Sequence, residues 1–425
     1  MAVQTPARQG RTDPSGVSGP APTPGGDIRM ISLLGVDGVR LTDPDHAFGG
    51  TDADVATLLR DMVLTRRLDT EGTALQRQGQ LGLWPPTLGQ EAVGAGTMRA
   101  MKSADMCFPS YREHGAALVR GVDPLDLMSL WRGVDMGGWD PIATRFNRYS
   151  IVIGSHPLHA VGWAMALQAE GVTGTGGPDD GAVLAFFGDG ASAQGDVNEA
   201  FVWAASYHAP VVFIVTNNQW AISVPTSRQA IVPLARRGEG FGIPGVRVDG
   251  NDALAVQAVT EAALDRARAG QGPQLIEMFT YRLGAHTTSD DPTKYRSRAE
   301  EDRWRAKDPI ERVRTYLTRA GAIDDAWWAR LQAEADDFAA DLRARTIALA
   351  PPDFADWFDV VYAEQTPELA DQQHAFRAYV ASFEDPAVED RAAKDRAVKN
   401  HTAKNAAPED RAAEQHAVHD REGRR

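Results

Sequence analysis

The chain has 425 residues, 43% of them hydrophobic, with 44 Lys and Arg against 58 Asp and Glu, a formal net charge of -14 and a single cysteine. That length can bury one large core or two smaller ones, while the acidic balance and the lack of a basic stripe interleaved with aromatics argue against a nucleic-acid binder. No uncharged apolar run reaches the roughly eighteen residues of a membrane span, and no short apolar block opens the N-terminus, so a cytoplasmic location is the expectation.

Residues 1–27 are rich in Pro, Gly, Ser and Thr and almost free of large apolar side chains, so they read as a disordered arm that cannot offset its ordering entropy. Apolar spacings of three and four predict helices over 52–79, 89–102, 124–133, 157–171, 194–208, 251–269 and 297–320. Short apolar runs closed by Gly, Asn or Asp predict strands at Ala182–Phe187, Val211–Thr216, Val246–Val248 and Leu275–Tyr281. Continuous apolar strands separated by helices indicate an α/β fold, a doubly wound and mainly parallel sheet covered on both faces. One domain is expected over 28–384. Cys107 excludes an intrachain disulfide and reads as a small buried apolar residue. Residues 385–425 form a polar low-complexity tail in which EDRAA at 389–393 recurs at 409–413.

Four segments carry chemistry. Pro109–Gly115 reads PSYREHG, and taken alone its Tyr111 and Arg112 are an ordinary surface pair. Ile151–His159 reads IVIGSHPLH. Its His156 and His159, three apart, are a poor metal pair, because no further soft ligand lies nearby and Pro157 marks a helix start. The third segment, from Ala182 to Ser223, holds two buried strands that end in Gly188-Asp189-Gly190 and Asn217-Asn218, with 26 residues between for one crossover helix. Both turns therefore fall on one sheet edge, where ligands of such sheets bind. The glycines let backbone N–H groups approach an anion, the next helix aims its positive end at it, and Asp189 with Asn218 offers hard oxygens. Magnesium plus a diphosphate fits that combination, although a lone GDG is more often a plain turn. The fourth segment, Tyr281–Pro292, reads YRLGAHTTSDDP and is too polar for a core. The glycines of Thr173–Gly177 precede a strand where a dinucleotide fingerprint would follow one.

Strand, GDG, helix, strand and NN in that order resemble the thiamine diphosphate-binding motif. With the PSYR turn and the YRxGxHxxSDD pattern, the stretch from about Asp54 to about Phe358 resembles the alpha subunits of the pyruvate and branched-chain 2-oxo acid dehydrogenases. That resemblance implies a metal site of Asp189, Asn218 and the Trp220 carbonyl. Gly188, Gly190 and Ala191 would face the diphosphate, and Tyr111 and Arg112 would hydrogen-bond it. The backbone of Ile151 and Ile153 would meet the aminopyrimidine while the Ile153 side chain props the cofactor into a bent form. His286 would contact the diphosphate and act as the catalytic proton donor in acyl transfer to a lipoyl group. Arg282, Ser289, Asp290 and Tyr295 would order its loop, and Ser289 lies where mitochondrial relatives are phosphorylated.

The implied cofactors are thiamine diphosphate and magnesium, and a monovalent cation is allowed besides. The implied partners are a separate beta subunit that supplies the acid at the pyrimidine ring within an alpha2-beta2 assembly, the lipoyl-bearing acyltransferase and a small 2-oxo acid. The chain alone is then expected to be inactive. The TSDD run at 288–291 is nearer the branched-chain pattern than the MSDP of pyruvate enzymes, so 3-methyl-2-oxobutanoate is the expected substrate type and pyruvate the alternative. Branched-chain relatives carry Arg and Gln where this chain has Thr216 and His156, which leaves the detail of the diphosphate grip open. A noncatalytic assembly subunit is the reading from another class.

Overall fold

The computed structural model describes residues 28–135 and 137–383, so the N-terminal arm and the C-terminal tail lie outside the described residues. The strands are β1 (Met30–Ile31), β2 (Met106–Phe108), β3 (Val183–Gly188), β4 (Val211–Asn217), β5 (Trp220–Ala221), β6 (Val224–Pro225), β7 (Gly245–Asp249) and β8 (Gln274–Phe279). The helices up to the middle of the chain are α1 (Asp52–Arg77), α2 (Glu91–Ala100), α3 (His114–Val119), α4 (Pro124–Arg132), α5 (Pro141–Thr144), α6 (His156–Ala169) and α7 (Gly195–Tyr207). After these come α8 (Thr226–Gln229), α9 (Ala253–Arg268), α10 (Arg298–Arg305), α11 (Pro309–Arg319), α12 (Asp325–Ala348) and α13 (Pro367–Ala381).

Six strands form one sheet in the order β1-β7-β8-β4-β3-β2, every pair parallel, and β5 with β6 makes a small antiparallel hairpin. Successive side chains of a strand point to opposite faces, and the two faces bury different sets. Leu184, Phe186, Val212 and Ile214 pack with α1, α2 and α9, whereas Val183, Ala185, Phe187, Val211 and Phe213 pack with α6 and α7. Helices on both faces make this the doubly wound α/β sheet expected from the sequence. The close approach of α2 to α9 depends on Gly96, where a Cβ would stand 2.6 Å from Val256.

Local signals fix the helix starts. Thr51 and Asp54 form a reciprocal capping box at α1. Asp252 caps α9 through Oδ1 while its Oδ2 accepts the Leu33 and Leu34 amides at 2.6 Å, tying the chain after β1 to the sheet. The single helix expected over 297–320 is instead two, α10 and α11. Asp308 caps a new start with Pro309 at its first position, and a proline there cannot continue the preceding helix. The short strands β1 and β2 and the Ala-rich α12 were not foreseen; Cys107 lies fully buried in β2.

The chain divides at Ala350 and Pro351 into two compact units. In the second, α13 starts at Thr366 as N-cap, Phe358 and Phe376 lie 5.7 Å apart, and Gln373 Nε2 donates to the Ala355 carbonyl. Among the described residues no helix is long and apolar enough to cross a membrane.

Candidate functional site

β3 and β4 pair in register from Val183 opposite Val211 to Gly188 opposite Thr216, so both chains leave the sheet at the same edge. A cavity of about 350 Å³ opens there, lined by Gly188, Asp189, Gly190, Ala191, Asn218 and Trp220 from this edge and by Tyr111, Arg112, Ile153 and His286 from three other segments. Its size suits a small molecule or cofactor. Ten of the eleven residues expected at the site thus share one cavity; Ile151 is not on its wall, and its side chain is exposed. A Cβ on Gly188 would meet no atom within 4 Å, so its bareness answers to the open space beside it, whereas one on Gly190 would stand 2.6 Å from Ala221 Cβ.

Asp189 is buried, which pushes its carboxyl up, while the Thr226 hydroxyl holds it partly down. Its Oδ2 accepts from Thr226 Oγ1 at 2.8 Å and Gln229 Nε2 at 3.3 Å, both neutral donors. Asn218 donates Nδ2 to Gln90 Oε1 at 3.0 Å and accepts the Trp220 amide on Oδ1 at 3.2 Å. The adjacent Asn217 turns into the protein, where Nδ2 donates to the buried Glu277 at 2.7 Å. Among the described residues no group of three or more His, Cys, Asp or Glu gathers as a metal cage. One carboxylate with amide and carbonyl oxygens is the donor set of a hard cation that completes its shell from phosphate and water. The buried Asp189 carboxylate, with no ion pair among the described residues, and the open cradle at Gly188 fit a magnesium-diphosphate group.

The turn after Asn218 is strained. Gln219 and the β-branched Ile222 take left-handed φ values of 70° and 54°. The fully buried Arg282 clamps this turn, giving Nη1 to the Trp220 carbonyl and Nη2 to that of Ile222, both at 2.7 Å. A carbonyl oxygen has two lone pairs, so a cation at Trp220 would share it with Arg282. Burial, with Arg112 and Arg296 nearby, brings the Arg282 guanidinium down to about 10.

Arg112 commits its fork to protein. Nη1 donates to the Pro86 carbonyl at 2.6 Å, and Nη2 donates to the His286 carbonyl at 2.9 Å and lies 3.2 Å from His286 Nδ1. A guanidinium can only donate, so Nδ1 accepts and the neutral imidazole carries its proton on Nε2. Burial, then Arg112 and Arg282, lowers His286 to about 3, which keeps it neutral at physiological pH. Asp290 fixes the loop by accepting the His286 amide at 2.9 Å, and Tyr295 OH donates to the same carboxylate. Tyr111 stands edge-on to the His286 ring.

The loop before α2 supports the opposite wall. Asp69 accepts Trp84 Nε1 and the Thr87 and Leu88 amides at 2.8–3.0 Å, and Trp84 stacks on His114 at 4.3 Å. Gly89, at φ 93°, passes against the Tyr281 carbonyl too closely for a side chain and delivers Gln90 to the cavity. His156 donates Nε2 to the Phe186 carbonyl behind β3, and His159 is exposed, so the two do not converge on a metal. The glycine stretch 173–177 wraps its own Asp180, which accepts the Thr175 and Gly176 amides.

Sequence reasoning missed Gln90, Glu113 and Gln229 on the wall and Thr226 behind it. Gln90 opens a helix and Thr226 follows a proline, and neither position carries a motif. Only the pairings across the fold expose them.

The family model for the dehydrogenase E1 component matches residues 59–342. The alpha subunit of 3-methyl-2-oxobutanoate dehydrogenase from Mycobacterium tuberculosis is 45% identical over 356 residues, 84% of this chain and 95% of the relative. The alpha subunits of the pyruvate dehydrogenase E1 component from Acholeplasma laidlawii and Staphylococcus aureus are each 38% identical, covering 76% and 69% of this chain and 92% and 78% of the relatives. With the parallel sheet and its edge cavity already in place, these matches establish that the chain belongs to the dehydrogenase E1 component family.

Proposed function

We propose that this chain is the alpha subunit of a 2-oxo acid dehydrogenase of the 3-methyl-2-oxobutanoate type, which decarboxylates a branched-chain 2-oxo acid and passes the acyl group to a lipoyl arm. The observation that carries the reading is the convergence of Asp189, Asn218 and His286 on one cavity at the carboxyl edge of the sheet. The substrate class is supported by the 45% identity to the Mycobacterium tuberculosis protein.

In this reading Asp189, Asn218 and the shared Trp220 carbonyl hold magnesium, and the backbone at Gly188, Gly190 and Ala191 faces the diphosphate. Thiamine diphosphate supplies, when bound, the electron sink into which the carboxylate electrons pass. Arg112, on the cavity wall, and the buried Arg282 set a positive field at the anionic end. His286, neutral with its proton on Nε2, is placed to donate a hydrogen bond from that N–H to an oxygen or sulfur of the reacting partner. Ile153 presents an apolar side chain on the wall for the pyrimidine side. A monovalent cation belongs to the same reading; Ser150 Oγ, Ser155 Oγ and the Val152 carbonyl, within 3.2 Å of one another on the Ile153 loop, are neutral oxygens of the kind it takes. A cytoplasmic setting goes with it.

The acid at the pyrimidine nitrogen is assigned to a beta subunit. Among the described residues the carboxylates on the cavity wall are Asp189 and Glu113, and Glu113 is engaged by Ser110 Oγ at 2.7 Å. The lone chain is therefore expected to show no turnover with thiamine diphosphate and magnesium, and the reconstituted alpha-beta complex to prefer 3-methyl-2-oxobutanoate over pyruvate in kcat/KM. Full turnover by the lone chain would defeat the half-site assignment. A preference for pyruvate would reassign the substrate. Absence of calorimetric binding of the cofactor by the assembled protein would instead mark a noncatalytic subunit.

A further inference from the structure

We infer that Thr226 and Gln90 are positioning residues that orient the two cation-binding side chains by holding the end of each that does not bind. The inference rests on the magnesium reading above.

Asp189 and Asn218 can each present the wrong atom to a cation. A buried carboxylate is free to rotate about its last torsion, and an amide that turns over offers Nδ2, a donor, in place of its oxygen. Each ambiguity is removed by neutral neighbours, Thr226 and Gln229 at Asp189 and Gln90 with the Trp220 amide at Asn218. Thr226 Oγ1 lies 2.8 Å from Asp189 Oδ2, and Gln229 adds a longer bond to the same oxygen, which leaves Oδ1 for a ligand. Thr226 Oγ1 is also 3.1 Å from Asn217 Oδ1, a competing acceptor, and its one proton goes to the nearer and charged oxygen of Asp189. On the other strand, the Trp220 amide can only donate and so fixes Oδ1 as the accepting end of Asn218, and Gln90 Oε1 holds the Nδ2 end opposite. Gln90 is 6% exposed, lies on the cavity wall, and its Nε2 has no partner among the described residues. Both devices are uncharged. A Lys or Arg in place of Thr226 would neutralise Asp189 and compete with the cation.

Thr226 is not on the cavity wall, so any effect it has on the cation is indirect. Outer partners of metal ligands typically matter by about 10–100-fold in metal affinity. The test uses the alpha-beta complex with thiamine diphosphate, titrated calorimetrically with magnesium, for Thr226→Val, Gln90→Met, Thr226→Ser and Asp189→Asn. Thr226→Val and Gln90→Met are each expected to weaken magnesium by roughly 10–100-fold, with kcat at saturating magnesium falling by a smaller factor, and Thr226→Ser to keep the affinity. Magnesium binding unchanged within twofold in both Thr226→Val and Gln90→Met, while Asp189→Asn loses it, would overturn this inference and leave the magnesium site standing. Unchanged binding in Asp189→Asn would remove the site itself. If Thr226→Val lowers the melting midpoint, Gln90→Met and the serine variant decide: loss in the first with retention in the second supports the inference, and any other pair of results overturns it.

Discussion

The floor of the cavity and its histidine rim are held by different physics. On the floor, Asp189 and Asn218 follow directly from β3 and β4, strands buried on both faces, and their side-chain partners Thr226, Gln229 and Gln90 are neutral. At the rim, His286 sits on a loop without regular structure and is located by Arg112, Asp290 and Tyr295, with Arg282 and Arg296 packed behind. A floor set by backbone pairing responds to packing, and a rim set by charges responds to charge. The first suits a group that must stay in place, and the second a group that must meet a partner arriving from outside.

Three changes separate the two. The largest effect is expected from His286→Ala. Removal of a positioned hydrogen-bond donor should slow lipoyl acylation by about 10²–10³-fold, while calorimetric affinity for the cofactor moves far less, since the floor is untouched. Equal losses in both would mean that rim and floor are one unit.

Acid comes next. Burial lowers His114 to about 3 and His156 to about 4, and His286 falls to about 3. Each binds fewer protons folded than unfolded between that value and about 6.5, so the stability it contributes is complete above pH 6.5 and lost as pH falls toward the native value. For each of the enclosed His114 and His156 the slope is about 1.4 kcal/mol per pH unit. Urea midpoints of the assembled protein should therefore drop between pH 7 and pH 5. His114→Asn should flatten that slope; an unaltered one would show that His114 does not set it.

The smallest effect is expected from Tyr295→Phe. It removes the hydroxyl between Arg282 and Asp290, a cost of about 0.5–3 kcal/mol for a hydrogen bond to charged or partly buried groups. Acylation should slow by about tenfold or less with magnesium affinity intact, and a shift in magnesium affinity would tie the rim to the floor.

The same division explains what could be read in advance. The floor was legible because its cause is local: two apolar strands each closed by a polar turn, one crossover helix apart. His286 was legible only through resemblance, since nothing in residues 281–292 says that Arg112 fixes its tautomer. Arg112 was expected at the diphosphate and does line the cavity, but that its Nη groups also reach Pro86 and His286 was not legible. Gln90 and Thr226 were invisible because their partners lie 128 and 37 residues away. The split of 297–320 at Asp308-Pro309 was readable from capping rules. The apolar spacing that carried the helix, Ile310, Val313 and Leu317, lies wholly after the stop.

Arg112 joins Pro86, 26 residues before it, to His286, 174 residues after it. On a ribosome adding about 5–20 residues per second, roughly ten to thirty-five seconds pass between synthesis of the arginine and arrival of its second acceptor. Through that interval the guanidinium can bond Pro86 but not the rim, and all six strands of the main sheet are made before His286. The rim is therefore the last part of the cavity wall to be synthesised.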